Sequence, residues 1–112
     1  MNAKIDAVLY QCSTSRNQQK WQEAVLDDYC DKAGLFPRLA FYDYGPTSVP
    51  PAERPPFQSL LTAAEGEEIQ HIVVADPTQL SRDPVVIQQT LRLLARHGVV
   101  NLHFVTGEDC PR

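Results

Sequence analysis

The sequence has few cysteines, no long apolar run and no cluster of metal ligands, and each shortage excludes a class of protein. The three cysteines in 112 residues include no Cys-x-x-Cys pair, which argues against a disulfide framework and a zinc cluster. The three histidines are scattered without metal-ligand spacing. No stretch approaches the roughly 20 apolar residues of a membrane helix. We therefore expect no metal, no other cofactor and no membrane segment.

Positive charge is also scarce. Ten Lys and Arg residues stand against 14 Asp and Glu, for a net charge of −4, and the basic residues are dispersed. Non-specific affinity for DNA comes largely from basic side chains that neutralise phosphates, so binding to nucleic acid would need a local basic site or a partner. The N-terminus lacks the pattern of a secretory signal, and we expect a cytoplasmic protein.

The hydrophobic pattern alternates between short strands and helices. It predicts strands at residues 4–10, 38–44, 69–75 and 99–105. Trp21, Val25 and Tyr29, with Leu26 and Cys30 beside them, recur at the spacing of a first helix, which Gly34 ends. Phe57, Leu60, Leu61 and Ala64 form the apolar face of a second helix, closed by Gly66.

A third helix has the clearest start in the chain. Asp83 is predicted as its N-cap and Pro84 as its first residue. Its predicted buried stripe consists of Ile87, Leu91, Leu94 and Ala95, and Gly98 ends it.

Four strands alternating with three helices predict an α/β fold of three layers. The sheet should be mostly parallel, with four strands or slightly more, and with helices on both faces. We expect one domain over residues 1–112, with a proline-rich loop at 45–56 and a polar tail at 106–112.

A run of hydroxyl groups follows the first strand. Ser13, Thr14 and Ser15 could bind a phosphate with the amides of the following helix, or they could cap that helix and satisfy the loop backbone. No glycine precedes Gly34, which excludes a P-loop. A cysteine phosphatase loop does not fit either, because Cys12 and Arg16 are too close in the chain.

Ligands of parallel sheets usually bind beyond the carboxyl ends of the strands. Ser13, the loop with Arg54 and the loop that ends in Arg82 should meet at that edge. A hydroxyl between two guanidinium groups would suit attack on a phosphodiester, since Arg holds phosphate oxygens through paired hydrogen bonds.

These segments resemble the N-terminal catalytic domain of the serine site-specific recombinases, the resolvases and invertases. The resemblance rests on Ala7-Val-Leu-Tyr-Gln-Cys-Ser-Thr14, on Gln22, on Arg54-Pro-Pro-Phe-Gln-Ser-Leu-Leu61 and on Leu80-Ser-Arg-Asp83, in that order. It implies that Ser13 is the nucleophile for a covalent 5′-phosphoserine DNA link and that Arg54 and Arg82 bind phosphate. Thr14, Ser15 and Gln22 would contact the substrate, and no metal would be used.

The chain departs from that pattern at the chemical centre. Gln11 stands where the family has Arg, and Thr78 and Gln79 stand where it has Asp and Arg. Because each lost preorganised donor typically costs roughly 10²–10³ in rate, we expect little or no DNA cleavage. Asp76 is not expected to replace the missing carboxylate.

The resemblance also bears on partners. Family members continue into a long dimerisation helix and usually a DNA-reading domain, and this sequence has neither unless it is a fragment of a longer protein. We therefore expect a non-catalytic or strongly impaired module, associating with itself or with an intact recombinase and reaching DNA weakly or through that partner. An active recombinase and a small phosphate-compound binder remain the alternatives.

Overall fold

The computed structural model describes residues 4–13, 15–45 and 49–105. Their strands are β1 (Ile5–Ser13), β2 (Leu35–Tyr44), β3 (His71–Val74) and β4 (Asn101–Phe104). Their helices are α1 (Arg16–Ala33), α2 (Pro55–Gly66) and α3 (Pro84–Arg96), with short 3₁₀-helices at Pro51–Glu53 and Pro77–Gln79. The predicted tail at residues 106–112 lies outside the described part of the chain.

The strands form one sheet in the order β2-β1-β3-β4. Every pairing is parallel, so each strand ends at the same edge of the sheet. This confirms the predicted α/β fold with a mostly parallel four-stranded sheet. β1 lies in the centre, and its carboxyl end reaches Ser13, three residues beyond the predicted strand.

Alternate residues of β1 divide the core into two layers. Val8, Tyr10 and Cys12 belong to the layer under α2 and α3. Ala7 and Leu9 belong to the layer under α1. Because successive strand residues point to opposite faces, Gln11 and Ser13 follow Leu9 onto the α1 side.

Part of the buried face of α1 lies one residue further along the chain than predicted. Gln22, Leu26 and Cys30 are buried, whereas Trp21 is 57% exposed. The polar Gln22 faces inward because its Nε2 donates to the Cys12 carbonyl at 3.4 Å, which hydrophobic spacing alone does not predict. Gly34 ends the helix at a left-handed φ of 75°, as expected.

The other two helices largely follow the pattern predicted from the sequence. All four predicted residues of the α2 face are buried, and Asp83 caps α3 by accepting from Val85 N at 2.9 Å. In α3 the buried residues are Thr90 and Leu94, so the inferred stripe was wrong at Ala95, which is exposed. Thr90 is accommodated because its hydroxyl donates to the Val86 carbonyl.

The proline-rich stretch contains some regular structure. Pro51–Glu53 form a 3₁₀-helix just before α2, and Arg54 occupies the position between them. Residues 46–48 of the predicted loop lie outside the described ranges. None of the described helices is long and apolar enough to cross a membrane.

Candidate functional site

The hydroxyl run after β1 is divided between two elements. Ser13 is the last residue of β1, and only 3% of its surface is exposed. Its carbonyl accepts from Gly45 N at 3.3 Å. Ser15 is the N-cap of α1, where its Oγ accepts from Gln18 N at 3.1 Å. Thr14 falls outside the described residues. Helix capping is therefore carried out by Ser15, while Ser13 belongs to the sheet.

Arg54 is buried at the start of α2, with 3% exposure. Its Nε donates to the Val49 carbonyl at 2.8 Å. Nη1 donates to the Gln79 carbonyl at 2.7 Å and Nη2 to the Leu80 carbonyl at 2.7 Å. All three guanidinium nitrogens thus bind backbone oxygens, and Arg54 fastens the loop before α3 to the sheet.

A phenol and a carboxylate also lie beside this guanidinium. Tyr10 Oη accepts from Arg54 Nη1 at 3.0 Å and donates to Asp43 Oδ2 at 3.2 Å. Asp43 Oδ2 lies 3.9 Å from Arg54 Nε. Burial raises the pKa of Tyr10, against the opposing effect of Arg54, so the phenol stays protonated. The positive charge of Arg54 is thus balanced inside the protein by the carboxylate of Asp43.

Two glutamines hold the residue immediately before Ser13. Gln79 Oε1 accepts from Cys12 N at 2.8 Å, and Gln22 Nε2 donates to Cys12 O at 3.4 Å. Both contacts are buried. The end of β1 that carries Ser13 is therefore fixed through the backbone by side chains from α1 and from the loop before α3.

Gln11, for which the resemblance suggested a substituted arginine position, is 1% exposed. Neither its Oε1 nor its Nε2 has a hydrogen-bond partner among the described residues, and the same holds for Gln22 Oε1. Three neutral amide atoms are thus left without a described partner in the interior. They supply no positive charge to the Ser13 end of β1.

The remaining predicted site residues lie on the loop before α3. Asp76 caps the short 3₁₀-helix, accepting from Thr78 N at 2.9 Å and from Thr78 Oγ1 at 2.8 Å. Arg82 is exposed, and the neighbouring Ser81 Oγ accepts from Asp83 N at 3.0 Å. Asp76 is oriented within its own loop.

Cys12 does not supply a substitute nucleophile. Burial raises the pKa of its thiol, and although Arg54 opposes that shift, Asp43 adds to it. Its Sγ lies 3.5 Å from the Gly45 carbonyl, and a thiol in this state is a poor nucleophile. Among the described residues, no group of three or more His, Cys, Asp or Glu could hold a metal.

The sequence did not reveal the roles of Tyr10 and Asp43. Both lie in segments whose apolar and aromatic composition predicts strands, and their shared bond spans 33 positions of the chain. Their register becomes visible only when β1 and β2 are paired. The one available signal was an acidic residue, Asp43, inside an otherwise aromatic strand.

Comparison with known proteins agrees with this architecture. The chain aligns with the C-terminal catalytic domain of ISC1926 TnpA, an IS607-like serine recombinase, at 22% identity over 96% of this chain and 71% of that one, with a TM-score of 0.76. It aligns with the N-terminal catalytic domain of TP901-1 integrase at 19% identity over 90% and 77%, with a TM-score of 0.74.

A resolvase family site-specific recombinase from Streptococcus pneumoniae is similar at 17% identity over 91% of this chain and 72% of that one, with a TM-score of 0.69. No curated protein matches the sequence. The family model "Resolvase, N terminal domain" matches residues 7–111. The chain therefore belongs to the resolvase N-terminal domain family, whose fold its parallel sheet and three helices reproduce.

Proposed function

We propose that this chain is a non-catalytic or strongly impaired member of its family that acts as an interaction or regulatory module in DNA recombination. The observation that carries the proposal is the buried bond between Gln79 Oε1 and Cys12 N. A guanidinium has donors and no acceptor, so an arginine could not make this contact. Gln79, which by resemblance stands where the family has an arginine, thus acts here as a hydrogen-bond acceptor.

The electrostatics of the site support the same conclusion. Cleavage of a phosphodiester needs preorganised positive charge beside the phosphoryl oxygens. Gln11 and Gln79 are neutral, and the charge of Arg54 is directed to backbone carbonyls and Asp43. Releasing that guanidinium to a phosphate would leave three carbonyl groups without their donor.

The burial of Ser13 also supports a loss of catalysis. Ser13 is 3% exposed, whereas a DNA phosphate is bulky and stays attached to the sugars on both sides. Attack through Ser13 would require the end of β1 or the adjoining loops to move. In the alternative function, an active recombinase, that movement would also have to bring Arg54 and the exposed Arg82 to the same phosphate.

An interaction role is compatible with the surface and with the charge. Large apolar side chains are exposed on α1 and β2, including Trp21 at 57%, Phe36 at 50% and Tyr44 at 65%. The net charge of −4 disfavours direct binding to DNA. We infer that the chain associates with itself or with an intact recombinase, and that it reaches DNA weakly or through that partner.

Association is tested with the purified chain and an intact serine recombinase from the same genome. Sedimentation velocity over a range of concentrations should show a dimer of the chain or a complex with the recombinase. Titrating the chain into a recombination reaction should then change the product yield. A chain that stays monomeric, binds no recombinase and leaves the yield unchanged would contradict the interaction role.

A further inference from the structure

A row of hydrogen-bonded side chains lies on the α1 side of the sheet, away from Ser13. Tyr29 Oη lies 2.9 Å from His103 Nδ1, and His103 Nε2 lies 3.0 Å from His71 Nδ1. His71 Nε2 is 3.4 Å from Asn101 Nδ2. The row joins α1, β3 and β4, and the two imidazole planes are nearly parallel, at 23°, with 5.2 Å between ring centroids.

The central contact of this row depends on protonation. Two imidazole nitrogens at 3.0 Å can share a hydrogen bond only if one carries a proton and the other does not. With Asn101 donating to His71, the protons run in one direction: His71 Nδ1–H donates to His103, and His103 Nδ1–H donates to the Tyr29 oxygen. The neutral pair satisfies every nitrogen.

Added protons affect this row in two stages. A first proton can enter at the outer Nε2 of His71, where reorientation of the Asn101 amide provides an acceptor, and the central bond remains. A second proton must enter at His103 Nε2, which places two N–H donors face to face. The central bond is then lost, and two positive charges lie side by side.

Among the described residues, the hydrogen bonds of the pair bring no carboxylate to offset that repulsion. Tyr29 faces the pair from α1, His71 faces it from β3, and His103 and Asn101 belong to β4. Burial and the neighbouring His71 both lower the pKa of His103. Asp28 and Lys32, which flank Tyr29 in the α1 sequence, pair with each other on the exposed side of the helix.

We propose that His71 and His103 form a proton-operated latch between β3 and β4, which is closed while the pair carries at most one added proton and opens on uptake of the second. The bond that opens joins the two strands, whereas His103 Nδ1–H can still donate to Tyr29. The latch thus links pH to the cohesion of this part of the sheet, independently of whether Ser13 reacts.

The direction of the pH effect follows from the depressed pKa of His103. The folded state favours the neutral ring, so this stabilisation is complete above the ordinary histidine value of about 6.5. It is lost as the pH falls through the lower folded value. The latch therefore opens on the acidic side of the ordinary histidine range.

Thermal unfolding of the wild type, His71→Asn, His103→Gln and the control His97→Gln between pH 8 and pH 5 tests the latch. His97 binds Glu65 on the surface and is not part of the row. The wild type and His97→Gln should lose at least about 4 °C more in Tm than either latch variant. Acid effects common to all four proteins cancel in this difference.

Ring-nitrogen NMR and hydrogen exchange identify the mechanism. The wild-type pair should take up its two protons in separated steps, and exchange in β3 and β4 should rise at the second. In His103→Gln, that rise should be absent. Independent single titrations of both rings, or equal Tm losses in all four proteins, would overturn the latch.

Discussion

Gln79 Oε1 accepts a hydrogen bond from the backbone N–H of Cys12 at 2.8 Å inside the protein. The contact crosses 67 positions of the chain and fixes the strand end that carries Ser13 to the loop before α3. An amide is suited to this position because it offers an acceptor without a charge.

Replacing Gln79 with arginine should therefore destabilise the protein. Gln79→Arg leaves the Cys12 N–H buried without an acceptor, which costs about 1–3 kcal/mol, and it adds a second cation near Arg54. Urea unfolding should show a lower free energy of unfolding. The matched change Gln88→Arg, on the exposed side of α3, should stay within about 0.5 kcal/mol. Equal stability of both variants would disprove the structural role of the amide.

The two arginines assigned to phosphate binding by resemblance should respond differently to truncation. Arg54→Ala removes one partner of a buried charge pair and the donor to three carbonyls, so it should lower the free energy of unfolding by about 3–5 kcal/mol. Arg82→Ala, at an exposed position, should change it by less than about 0.5 kcal/mol. Chemical denaturation measures both, and an Arg54→Ala protein as stable as the wild type would show that the guanidinium is not part of the scaffold.

Removing the amide of Gln11 should stabilise the protein. Both polar atoms are buried without a described partner, so Gln11→Met relieves a desolvation penalty of about 1–3 kcal/mol and keeps the length of the side chain. Differential scanning calorimetry should show a higher Tm, with Gln88→Met as the exposed control. A lower Tm for Gln11→Met would mean that the amide is satisfied by groups beyond those described.

The phenol of Tyr10 should resist ionisation until the fold is lost. Burial raises its pKa, so the folded state favours the protonated form. That stabilisation is complete below the ordinary tyrosine value of about 10 and is lost as the pH rises towards the folded value. Absorbance at 295 nm, followed together with circular dichroism, should show one tyrosine that ionises only as the protein unfolds. Tyr10→Phe should remove that component, and a Tyr10 that titrates in the folded protein would refute the buried Tyr10–Arg54–Asp43 network.

Much of the fold could be predicted because local signals and topology agree. Asp83 and Pro84 locate the start of α3, Gly34 terminates α1, and the alternation of strands and helices requires parallel crossovers. The inward position of Gln22 could not be predicted, because it depends on the carbonyl of Cys12 in another element. Hydrophobic spacing therefore assigned Trp21 to the core, although it is exposed.

The candidate site was predicted by resemblance more than by local physics. Sequence position predicted that Ser13, Arg54 and Arg82 meet at one edge of the sheet, and the roles in DNA chemistry assigned to them stay predictions. The partners of Arg54 could not be anticipated, because Val49, Tyr10 and Leu80 meet it only after α2 and the following loop have packed. Burial of the guanidinium depends on tertiary packing.

The most direct test of the central claim is a search for a covalent serine–DNA adduct. The chain is incubated with an end-labelled library of duplexes that carry random central sequences and a nick to trap cleavage, and the products are separated on a denaturing gel. Ser13→Ala is the control, and an intact serine recombinase on its own site shows that the assay works. No adduct that depends on Ser13 is expected; a labelled adduct that disappears in Ser13→Ala would contradict the loss of catalysis and establish an active recombinase.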